Sequence, residues 1–116
     1  MRKTITQIFV GLLSIGSLYA QNAPIDFEPE GNGAEWTWTV FENDISPAVE
    51  IVANPDQSGI NTSSTVMKFT ALQEGEPYAG TESEHGSDIG TFSITESNSV
   101  IKLMVWKSTI SDIGIK

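Results

Sequence analysis

Cysteine is absent from the chain. That removes disulfides, thiolate metal sites and a lipidated cysteine anchor in one step. Basic residues are almost as scarce: 6 Lys plus Arg stand against 15 Asp plus Glu, for a formal net charge of -9. Past residue 20 the only basic side chains are Lys68, Lys102, Lys107 and Lys116. No basic patch can form from four scattered lysines, so the expected partners exclude nucleic acid and anionic lipid surfaces. One histidine, His85, leaves little room for a Ser-His-Asp arrangement, and no nucleophile-elbow motif occurs. Long apolar runs are also missing beyond the first 20 residues, which argues against membrane insertion.

What is present begins with a leader-like segment. Arg2 and Lys3 precede an apolar stretch from Ile8 to Leu18, and Leu18-Tyr19-Ala20 offers a small residue before Gln21. This is the layout of a secretory signal peptide over residues 1–20. The apolar run is shorter than the roughly 20 residues a membrane span needs. The expected mature protein is therefore secreted or displayed at the cell surface, with one small domain over residues 21–116. At that size, without disulfides, a structural metal or a larger parent chain would help stability.

Period-two alternation dominates the rest. Strands are expected over 35–42, 48–53, 64–72, 89–95 and 99–107, with a sixth starting at Asp112. Turn-forming pairs separate them, such as Asn54-Pro55, Ser58-Gly59 and Gly75-Glu76-Pro77. No segment shows a capped helical pattern, and there is no internal repeat. The expected fold is all-β, an antiparallel β-sandwich or jelly roll. The closing DIGIK alternates like a strand that has just begun, so the sandwich is expected to be incomplete at residue 116 and to continue into further covalently linked domains.

The segments IDFEPEGNG, WTVFEN, NPDQSGINTSSTVMKF, GEPYAG and VWKSTISDIGIK together resemble the carbohydrate-binding-module-like jelly rolls of secreted Bacteroidota proteins. These are galactose-binding-like β-sandwiches, often attached to glycoside hydrolases or to secreted proteins with a sorting domain. The resemblance spans Ile25 to Lys116. It implies a secreted, non-catalytic module that binds a polysaccharide or oligosaccharide. It also implies a structural calcium ion held near the first strand, with Asp26 and Glu28 as the matching acids. Two-residue spacing places those acids on one face of a strand, with Phe27 turned inward; on spacing alone they read equally as solvated strand-end carboxylates.

Three places carry candidate ligand-binding residues. Trp36, Trp38 and Val40 share one face of the first strand, with Trp38 expected inside and Trp36 at the rim. The fifth strand has Ile101, Leu103 and Val105 on one face and Val100, Lys102, Met104 and Trp106 on the other, so Trp106 is either covered by another strand or open to ligand. The loop GEPYAGTESEHGSD presents Tyr78 and Glu82. Indole and phenol faces stack on the C–H patches of sugars, and carboxylates accept from sugar hydroxyls. Glycosidic cleavage needs two carboxylates about 5 to 10 Å apart across a cleft, and no acids alternate among aromatics on one strand here, so no catalytic residue is expected. Two other readings stay open: a structural spacer or adhesion domain with no ligand, and a fragment of a glycoside hydrolase.

Overall fold

The structure is a computed structural model and describes residues 23–44 and 47–116. The expected signal peptide, residues 1–20, lies outside the described residues. The fold is all-β: four short strands and no helix among the described residues. The strands are β1 (Trp38–Phe41), β2 (Glu50–Ala53), β3 (Thr65–Lys68) and β4 (Gly80–Ser83). They form two antiparallel pairs, β1 with β4 and β2 with β3.

The β2–β3 pair follows from local sequence. Ala48 to Ala53 and Ser64 to Leu72 are β-branched and alternating, and the Asn-Pro-Asp and Ser-Gly turn residues lie between them. Register sets Val52 opposite Val66 and Ile51 opposite Met67. Asn54 closes the connection by donating from Nδ2 to the carbonyls of Asn61 (3.2 Å) and Ser63 (2.9 Å). The cross-strand pair Glu50–Lys68 adds an ion pair at 2.6 Å with both side chains about half exposed. Such exposed pairs contribute on the order of 0–1 kcal/mol, so register rests on the apolar pairs.

The β1–β4 pair is non-local. Trp38 faces Ser83 and Phe41 faces Gly80, across some forty residues of chain. The ladder continues at both ends, through Glu84 N–H to Thr37 C=O (3.1 Å) and Glu76 N–H to Glu42 C=O (2.9 Å). The β4 segment falls within the stretch expected to be a loop. Gly-Thr-Glu-Ser has no apolar alternation, and its strand character comes from β1, which supplies the backbone partners.

The reverse holds further on. The strands expected at 89–95, 99–107 and 112–116 are not formed; the region carries one isolated bridge, Thr95 with Asn98. Residues 91–116 are exposed throughout. A strand with two apolar faces is stable only between covering layers, and a two-stranded pair gives it neither. No apolar side chain among the described residues is fully buried; Asn43, 1% exposed, is the one buried side chain that is polar. The described residues therefore form two paired ribbons.

Candidate functional site

The largest aromatic assembly grows from a tight loop before β1. Asp26 N–H and Phe27 N–H both donate to the Asn32 carbonyl, at 3.2 and 2.9 Å. The Asp26 carboxylate accepts from the amides of Glu28 and Asn32, each at 3.2 Å. Phe27 takes a left-handed backbone, φ 59. That is a strained conformation for a bulky residue. Its ring lies against Trp38, with centroids 5.8 Å apart and planes tilted by 48°. Gly33 has φ 106, and a Cβ there would stand 2.7 Å from Ile25 Cγ2 and 2.8 Å from the Phe27 ring. Only glycine allows the loop to pass so closely and still turn its carbonyl to accept the Trp38 indole N–H at 2.8 Å.

Trp36 stacks on Trp38 at 5.9 Å between centroids and 25° between planes. Both indoles are half-buried. Trp36 precedes the strand, and Trp38 opens it. The pair thus forms a short aromatic row, Phe27–Trp38–Trp36, with its inner end fixed by the loop and its outer end at the margin of β1. Beside it, the Asp88 carboxylate accepts from Thr37 N–H (3.0 Å) and Glu84 N–H (3.2 Å), which straps the ends of β1 and β4 together.

The other candidates are dispersed. Tyr78 is 67% exposed, on the turn closed by Ala79 N–H to Glu76 C=O. Glu82 is exposed on β4 and meets His85 Nε2 at 3.1 Å. Trp106 is 62% exposed on the unpaired C-terminal stretch. Among the described residues, neither Tyr78 nor Trp106 makes a ring contact with the tryptophan pair. The sequence places Phe27 inward on a regular strand and Asp88 in the 75–88 loop; that Phe27 lies against Trp38 and that Asp88 straps β1 to β4 comes from the fold.

Asp26 and Glu28 do not share a strand face, because the backbone turns at Phe27. Asp26 serves its own loop. Glu28 reaches the start of β3, where its carboxylate accepts from the Ser64 amide and hydroxyl and from Thr65 Oγ1 at 3.1 Å. The single Thr65 hydroxyl hydrogen is shared between that carboxylate and Phe27 C=O, the nearer acceptor at 2.6 Å. Calcium takes six to eight oxygens, whereas these two carboxylates are turned to protein N–H and O–H donors. No three acidic or imidazole side chains among the described residues group as a metal site.

Hydrogen bonds from the Ser64 hydroxyl, then from its amide, hold the Glu28 carboxyl below its ordinary pKa. A folded-state value below the unfolded one stabilises the fold at pH above the ordinary carboxyl range. That contribution is lost as pH falls through the lowered value. The Ser64 amide resonance is therefore expected to titrate with a midpoint below that of an unstructured Glu peptide, and Glu28→Gln should flatten the titration. A midpoint at or above the peptide value would remove this tie.

A cleft of about 430 Å³ is lined by Val40, Glu42, Asn43, Asp44, Glu74 and Glu76. It is acidic and open. Glu42 and Asp44 flank Asn43 with φ 52 and 53.

No protein-family model, curated protein or solved structure matches the chain. Among the described residues, no helix is long and apolar enough to cross a membrane.

Proposed function

We propose that the chain is a secreted, non-catalytic carbohydrate-binding module of a larger polysaccharide-degrading or surface protein, and that it holds its glycan on Trp36. The observation that carries this reading is the stacked Trp36–Trp38 pair at the margin of β1. Trp38 is committed on one side to Phe27 and through its indole N–H to Gly33. Trp36 is the outer ring of the row. A rigid, half-exposed indole gives a sugar ring a flat apolar surface whose ordering costs little on binding. The exposed Tyr78 and Glu82 would add contacts beyond it, and Trp106 would join only when the C-terminal stretch is brought alongside.

Affinity electrophoresis against plant and algal glycans tests the proposal. Wild-type protein should be retarded by at least one polysaccharide. Trp36→Ala should weaken binding about tenfold, roughly 1.4 kcal/mol, and leave the β1–β4 amide resonances in place. Tyr78→Ala should have a smaller effect. Retardation that survives Trp36→Ala would move the site elsewhere. A second reading, a structural spacer with no ligand, is favoured by the separation of Tyr78 and Trp106 from the tryptophan pair. It requires that no glycan retard the wild-type protein.

A further inference from the structure

Among the described residues, the C-terminal stretch carries the longest run of exposed apolar side chains. Val100, Ile101, Leu103, Met104, Val105 and Trp106 stand between 50% and 76% exposed. Extended backbone places Ile101, Leu103 and Val105 on one side and Val100, Met104 and Trp106 on the other. Among the described residues no strand pairs with it. A run apolar on both sides matches a strand inserted between partners rather than a solvated tail.

Charge indicates the partner. Residues 99–116 hold three lysines and one aspartate, a balance of +2; residues 23–98 hold fourteen acids and one lysine, a balance of -13. The chain therefore carries a basic apolar strand and an acidic body. Among the described residues the body also offers an open edge: β4 pairs with β1 on one side only, and it presents Glu82 with Glu84 just beyond it. An open edge bonds an added strand through its backbone, and flanking charges select which strand is accepted.

We propose that residues 99–107 are a donor strand that adds to the free edge of β4 in a second copy of this chain, with Lys102 meeting Glu82 or Glu84. Exchange is reciprocal, so the dimer is two-fold symmetric and each copy both gives and receives a strand. Six large apolar side chains per copy leave water, a set suited to the roughly 1,200–2,000 Å² that a stable interface buries.

Sedimentation equilibrium of the purified protein over a wide concentration range tests this. A monomer–dimer equilibrium is expected. Leu103→Pro removes a strand hydrogen bond within a segment that forms no strand among the described residues, so β1–β4 resonances stay unchanged while dimer affinity falls tenfold or more. Lys102→Glu weakens the dimer, and Glu82→Lys combined with Glu84→Lys in the same chain restores it. Added salt weakens the wild-type dimer through screening. A monomer at every concentration overturns the proposal, including one whose residue 99–107 amides are protected by their own sheet. So does a dimer indifferent to Leu103→Pro, or one that the compensating charge reversals do not restore.

Discussion

Asn43→Ala is expected to destabilise the protein by about 2–4 kcal/mol, read as a fall in the urea midpoint at unchanged m-value. Asn43 lies two residues past the end of β1 and is the fully buried side chain of a chain whose described residues bury no apolar side chain completely. Its Nδ2 donates to Thr70 C=O at 2.8 Å, and its Oδ1 accepts from Leu72 N–H at 2.9 Å. These bonds tie the end of the β1–β4 ribbon to the stretch after β3. Gly75 packs against it so tightly that a Cβ there would stand 2.8 Å from Oδ1. Truncation leaves the part-buried Thr70 carbonyl and Leu72 amide without their partner, and such a loss costs roughly 1–3 kcal/mol for a fully buried group. For a small domain this is a large part of total stability.

Asn43→Asp sharpens the test. The aspartate can still accept from Leu72, but it sets a carboxylate oxygen against the Thr70 carbonyl. At neutral pH the variant should be at least as unstable as Asn43→Ala. It should recover as pH falls, because a protonated carboxyl regains a donor; burial against a carbonyl raises its folded-state pKa, so the penalty belongs to the ionised form. A cost for Asn43→Ala within about 0.5 kcal/mol, the usual range for surface changes, would remove Asn43 from this role.

Trp38→Ala is expected to cost about 2–4 kcal/mol, toward the lower end of large aromatic truncations because the indole is only half-buried. It loses Phe27 on one side, Trp36 on the other and the indole N–H bond to Gly33. Trp38→Phe should keep the ring contacts and lose the hydrogen bond, for about 1 kcal/mol. Trp36→Ala should cost less than half of Trp38→Ala, since it removes one ring contact. Urea titrations of the three variants rank them. Equal costs at positions 36 and 38 would show that Trp36 is a packing residue, and the sugar platform would lose its basis.

Local pattern carried much of the fold. The alternation over 35–42, 48–53 and 64–72 contains β1, β2 and β3, and the turn residues between positions 54 and 59 lie where β2 turns toward β3. The tryptophans were legible as a same-side pair, and they stack as neighbours. Period-two spacing sets Asp26 and Glu28 on one face only where the backbone is extended, and Phe27 at φ 59 breaks that extension. Asp26 and Glu28 then serve a loop and the start of β3, respectively. Asn43 had no signal beyond belonging to a turn; its weight comes from Thr70 and Leu72, nearly thirty residues away.

Composition and alternation by themselves determined the acidic character, the absence of disulfides and an all-β chain. Those properties depend on side-chain type and on the two-residue period of extended backbone. The tertiary structure decided which extended runs became strands. Gly80–Ser83 pairs although its sequence is poor in strand formers, while 99–107 is rich in them and stays unpaired. A strand is completed by hydrogen bonds to a partner distant in sequence, and no local pattern encodes where that partner will be.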